Sequence, residues 1–106
     1  MQIPAERLAN LAQTIFERGG ADRATATQVA EKLIEANLFG HDSHGVGMVP
    51  AYVLGIQEDQ LKLHSELTVE HDHGSFLLVN GNAGFGQVMA KAAMELAIER
   101  AKKLGV

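Results

Sequence analysis

His41-Asp42-Ser43-His44-Gly45 is the densest polar cluster in the chain, with two imidazoles, a carboxylate and a hydroxyl side by side. An imidazole near its reference pKa of ~6.5 can give or take a proton at neutral pH, the service that ketone reduction or alcohol oxidation needs. Ser43 stands where a hydroxyl could orient or relay that proton. The same residues admit a plainer reading, with Asp42 and Ser43 as helix caps and the histidines as loop groups held by backbone contacts. A metal is a third reading, because His41 and His44 are three apart and His71-Asp72-His73 could join them in space. No His-Glu-x-x-His pair on a helix supports it, and no metal is expected.

Gly81-Asn82-Ala83-Gly84-Phe85-Gly86-Gln87 is the second candidate, since it follows an apolar run and opens a helix whose free N–H groups could hold an anion. The glycine order does not match the dinucleotide fingerprint, and no P-loop Gly-Lys-Ser/Thr follows. A strand-to-helix turn with close backbone packing accounts for it more simply. Tyr52 lies eight residues after His44, where its hydroxyl could reach the same pocket or its ring could serve as half-buried packing.

These segments need elements to position them. Pro4 suits a helix start, and Leu8, Leu11, Ala12, Ile15 and Phe16 recur at helical spacing up to Gly19-Gly20. Asp22 can cap a second helix in which Ala26, Val29, Ala30, Leu33, Ala36 and Asn37 share a broad face. The cluster at His41 is then a loop before a third helix, which Pro50 opens. Two strand-like runs, Leu67 to His71 and Ser75 to Val79, flank the turn Asp72-His73-Gly74. In the last helix Val88, Ala92, Leu96, Ile98 and Ala101 are expected inward, and Lys91, Glu95, Glu99, Arg100, Lys102 and Lys103 outward. The expected class is α+β: helices 4–18, 23–39 and about 48–58, a β-hairpin about 67–79, and a helix 86–103. The expected division is a helical segment 1–60 and the start of a second domain at 61–106.

Composition narrows the function classes. The chain has 106 residues, 46% hydrophobic, with a net charge of −4, so no basic field awaits a phosphate backbone and nucleic acid is not expected as a partner. The absence of cysteine removes disulfides and thiolate chemistry. The first residues lack a signal-peptide pattern, and no run approaches the ~20 apolar residues of a membrane span, so a cytoplasmic protein without membrane contact is expected. Gly105-Val106 reads as a helix stop leading into a buried strand, which makes a longer polypeptide the expectation.

From Glu35 through Asn37-Leu38-Phe39-Gly40-His41-Asp42-Ser43-His44-Gly45-Val46-Gly47-Met48-Val49-Pro50 to Val53, the sequence resembles the malate/L-lactate dehydrogenase family, which is distinct from the classical Rossmann enzymes. Asp-Ser-His-Gly is the most specific mark, and the resemblance continues through Val79-Asn80-Gly81, Gly84-Phe85-Gly86-Gln87 and Ala101 to Val106. It implies a larger fold of that family, interconversion of a 2-hydroxyacid and a 2-ketoacid with NAD or NADP, and a homodimer. By position it implies His44 as proton donor to the carbonyl oxygen and Ser43 as its hydroxyl partner, with the cofactor-binding residues mostly beyond residue 106. Many members have an arginine where this chain has Met48, and a methionine cannot pair with a substrate carboxylate. A more apolar substrate side at Met48 and Tyr52 follows, as in the hydroxycarboxylate dehydrogenase subgroup. The competing reading is a small helical interaction domain without catalysis. Catalysis needs the Ser43 and His44 side chains open to one cleft, whereas the alternative allows them to serve as local caps.

Overall fold

Residues 1–106 are described by a computed structural model. Helix α1 runs Ala5–Arg18, with Pro4 just outside it in an extended conformation whose carbonyl accepts the Leu8 N–H. Gly19-Gly20 ends α1, and Gly20 takes φ +108°, a conformation that a side chain would strain. Helix α2 spans Arg23–Leu38, and the Asp22 carboxylate caps it by accepting the Thr25 N–H at 2.8 Å. That bond, ahead of every other cause, holds the Asp22 carboxyl below its usual value.

The α1–α2 contact is the most extensive between elements, and it buries Ala12 and Phe16 of α1 against Ala26, Val29, Ala30 and Leu33 of α2. Two 3₁₀ turns, Asp42–His44 and Val46–Met48, lead into α3, Val49–Gln57, with Pro50 in its first turn. Phe16 then meets Tyr52 of α3 and Phe85, with ring centroids 6.3 and 5.5 Å away, and Tyr52 and Phe85 are themselves 5.9 Å apart. Three aromatic rings therefore join α1, α3 and the turn before the last helix. Edge-on packing, as Phe85 makes with both Phe16 and Tyr52, adds ~0.5–1.5 kcal/mol per pair beyond the area it buries.

Strands β1, Thr68–Asp72, and β2, Leu77–Asn80, form an antiparallel hairpin. Thr68 pairs with Asn80 and Val69 with Val79, and then a register shift at Glu70 makes His71 pair with Leu78. This bulge leaves Glu70 unpaired in the ladder, and its carboxylate accepts instead from Asn80 Nδ2 at 2.8 Å. Helix α4 spans Gly86–Leu104 and stops at Gly105, whose φ of 76° is a left-handed cap.

The α+β class and the order of elements are as expected, and element ends differ by a residue or so. Two α4 positions are corrected. Ile98, expected inward, is 46% exposed, and Arg100, expected on the solvent face, is half-buried. The reason is a partner 28 residues earlier: the Arg100 guanidinium donates at 2.7 and 2.8 Å to both carboxylate oxygens of Asp72 and at 3.1 Å to the Gly74 carbonyl. The core sits at the helical end, and no α4 residue is fully buried. The radius of gyration is 15.6 Å, against about 13 Å expected for a compact chain of this length. The hairpin and α4 thus form an extended arm. No helix is long and apolar enough to cross a membrane.

Hydrogen bonds from Arg100, followed by the Gly74 N–H, hold the Asp72 carboxyl at about 2 instead of 3.8. Because the folded value is the lower one, the arm's clasp contributes fully above the ordinary carboxylate range and is lost as pH falls through the interval between these two values. Asp72→Asn is expected to lower the unfolding temperature at neutral pH, and the gap from wild type should close by pH 2. A gap of constant size across that interval, in thermal melts, would contradict the pairing.

Candidate active site

The loop that carries His41 to Gly45 is shaped from both sides. Gly40, at φ +83°, turns the chain off α2 while its N–H bonds the Asn37 carbonyl at 3.0 Å and the His41 N–H bonds Ala36 at 2.8 Å. This is the glycine-ended Schellman pattern, which satisfies the last carbonyls of a helix. The chain then makes its two 3₁₀ turns, closed by His44 N–H on His41, Gly45 N–H on Asp42 and Met48 N–H on Gly45 at 2.9–3.1 Å.

Asn37 joins the two turns. Its Nδ2 donates to Asp42 Oδ1 at 2.7 Å, and its Oδ1 accepts the Val46 N–H at 2.8 Å. Gly45 lies buried beneath that amide, and a Cβ there would overlap all three terminal atoms of the Asn37 side chain. The glycine of the Asp-Ser-His-Gly segment is thus required for room, not for a left-handed backbone. Sequence reasoning placed Asn37 on the core-facing stripe and missed this role. The available signal was an amide in an apolar stripe, at the last turn before a glycine stop.

Ser43 and His44 are brought together: Ser43 Oγ lies 2.9 Å from His44 Nδ1, and both side chains are exposed. Neither Asp42 nor Ser43 caps a helix, so the cap reading does not describe them. Nε2 of His44 has no protein partner, which leaves it available to a ligand atom. Met48 is half-buried against the core. Tyr52 is committed to packing, its hydroxyl meeting Gln87 Nε2 at 3.0 Å while Gln87 Oε1 is buried without a partner. None of the chain's cavities is lined by Ser43, His44, Met48 or Tyr52, so these residues alone do not form the cleft that the catalytic reading requires.

The histidines do not converge elsewhere. His71 and His73 stack on the hairpin at 6.2 Å, and no group of three or more metal-ligating side chains gathers anywhere in the chain. The turn Gly81 to Gln87 is shaped by close packing. Its positive φ values fall at Asn82 and Ala83, while a Cβ at Gly81 or Gly84 would press on Met89 at 3.1 and 3.0 Å. Two of its N–H groups are engaged internally, Gly84 with Gly81 and Asn82 with the Asn80 side chain. These glycines serve close packing on α4.

The sequence profile of the malate/L-lactate dehydrogenase family matches residues 3–106. Hydroxycarboxylate dehydrogenase B of Escherichia coli is 38% identical over 105 residues, covering 99% of this chain and 29% of that protein. L-sulfolactate dehydrogenase of Methanothermobacter thermautotrophicus is 36% identical, covering all of this chain and 31% of its own length. The structure of malate dehydrogenase from Pyrococcus horikoshii superposes with a TM-score of 0.92 at 34% identity, over 99% of this chain and 30% of that one. The chain therefore spans under a third of the length of these relatives, and its α+β arrangement is part of their fold.

Gly45→Ala tests the packing of this loop. The new methyl must evict the Asn37 amide, so a loss of about 1–3 kcal/mol is expected from overpacking, with faster amide exchange at Val46. Unchanged denaturant unfolding and unchanged Val46 protection would show that the loop has room to spare.

Proposed function

The chain belongs to the malate/L-lactate dehydrogenase family, and from that membership we propose that it is the proton-handling part of an NAD(P)-dependent enzyme interconverting 2-hydroxyacids and 2-ketoacids. The observation that carries the reading is the Ser43–His44 pair, joined at 2.9 Å with Nε2 open, on the loop bearing the family's most specific segment. The relatives are named for a hydroxycarboxylate, malate and sulfolactate, and the proposed substrate is of that chemical class.

Reduction of a 2-keto group adds a hydride to carbon and a proton to oxygen. In the imidazolium form, His44 Nδ1–H donates to Ser43 Oγ and Nε2 keeps the second proton. As negative charge builds on the substrate oxygen, Nε2–H donates to it and neutralises it. What remains is neutral imidazole with Nδ1–H still on Ser43 and Nε2 bare. In the oxidative direction the bare Nε2 removes the hydroxyl proton. Ser43 thus acts by holding the plane of the ring, its hydroxyl able to accept from Nδ1–H or donate to bare Nδ1.

The hydride is supplied or accepted by a nicotinamide cofactor, NAD or NADP. Residues 81–87 lack the glycine order of a dinucleotide turn, which assigns its binding groups to the part of a relative-length polypeptide outside these residues. Met48 provides an apolar wall in place of a guanidinium, which assigns the substrate carboxylate to a cation from elsewhere. Tyr52 supports the site by holding α3 on Phe16 and Phe85. Open apolar side chains at Phe76, Met94 and Val106 are surfaces for further polypeptide to cover, with a cytoplasmic homodimer as the working form.

In a polypeptide of relative length carrying these residues, assayed over a panel of 2-ketoacids with NADH and NADPH, His44→Ala should lower kcat by roughly 10²–10⁴-fold. A folded variant as active as wild type would remove His44 from the chemistry. The chain of 106 residues alone is expected to turn over none of the panel. Nicotinamide-linked turnover by the purified chain would overturn the placement of the cofactor groups outside it.

A further inference from the structure

We infer that Asn37 is a positioning residue for proton transfer, its amide clamping the loop on either side of Ser43–His44. The inference rests on the reading of His44 as the proton donor, and its ground is the geometry of the two bonds. Asp42 is one residue before Ser43, and Val46 is two after His44. Asn37 holds the first through Nδ2 at 2.7 Å and the second through Oδ1 at 2.8 Å.

Only an amide of this length can do both. An ionised carboxylate such as Asp42 accepts and does not donate, and the Val46 N–H donates and does not accept. The bridging side chain must therefore present one donor and one acceptor from a single planar fork. Aspartate at this position would offer Val46 an acceptor but oppose one carboxylate to another, a repulsion that drives the side chain off both partners. Leucine, which the helical stripe would otherwise favour, would leave the Val46 N–H without a partner in a half-buried place. The two partners also fix the amide's orientation, since the reversed rotamer would face carboxylate with oxygen and N–H with nitrogen.

The clamp matters for chemistry because the turns are short and carry few other restraints. Asp42–His44 closes by single backbone bonds from His44 to His41 and from Gly45 to Asp42, and Ser43 and His44 are otherwise exposed. Releasing Asp42 and Val46 together frees the backbone that aims the imidazole. Misplacement of a catalytic group by about 1 Å can cost ~10²-fold in rate. The substrate carboxylate is assigned to a cation elsewhere, so the loss should fall more on kcat than on KM.

The test is a swap of donor and acceptor. In the relative-length polypeptide, Asn37→Asp is expected to lower kcat at least about tenfold. Asn37→Asp combined with Asp42→Asn should restore it, because the amide and the carboxylate then exchange places and the loop side chain donates to the helix side chain. In parallel, amide exchange of Val46 in the 106-residue chain should quicken in the single variant and slow again in the double. If kcat stays at the wild-type level in Asn37→Asp, the inference falls, whether Val46 protection is lost, which leaves the clamp structural only, or kept. Failure of the double variant to recover kcat, with wild type active and the double variant folded, also overturns it. If wild type itself turns over no 2-ketoacid, the dehydrogenase reading fails first, whatever the exchange data show, and the catalytic role of Asn37 goes with it.

Discussion

Burial of Phe16 is the contact on which the arrangement depends. Its ring is fully enclosed, with α2 on one side and Tyr52 and Phe85 on another. A chain this small has little apolar area to spare, so the helices cannot stay together through many weak contacts alone. The α1–α2 pair forms one wall, and the aromatic cluster ties α3 and the turn into α4 to it. Since α2 and α3 are the two posts between which the His41–Met48 loop is strung, holding those posts also fixes the span of the loop. Stability and site geometry thus share one origin.

Within that span, local rules take over. Gly40 stops α2, Asn37 bridges the two turns, Gly45 leaves room for the bridge, and Pro50 begins α3. The result places a hydroxyl against one ring nitrogen of His44 and leaves the other open. The hairpin and α4 contribute nothing to this pair directly. Their glycine turn packs on Met89, and the arm is clasped by Asp72 and Arg100. Its exposed apolar positions are those of a two-stranded sheet and a helix that cannot by themselves bury both faces.

What was legible in the sequence was what local pattern determines. Helical periodicity with its glycine stops gave α1 and α2 nearly to the residue, and Asp22 was readable as a cap because its partner is only three positions away. The Ser43–His44 pair was readable for the same reason, being adjacent in the chain. The pairing of Arg100 with Asp72, which turned that face of α4 inward and left Ile98 outward, was not readable, because a charged residue on a helix carries no mark of a distant partner. The bulge at Glu70 escaped similarly, since alternation along one strand does not reveal a shift in its neighbour. Asn37 was misjudged because a helical stripe records which way a side chain faces, not what it bonds there.

Delivery of the proton by His44 Nε2 is the central claim. The most direct measurement is chemical rescue: His44→Gly in the relative-length polypeptide, assayed for 2-ketoacid reduction over increasing imidazole. The expected result is a depressed kcat that rises and saturates with added imidazolium, as the free ring fills the space and supplies the missing proton. A His44→Gly enzyme that reduces the 2-ketoacid at the wild-type rate without imidazole would contradict it.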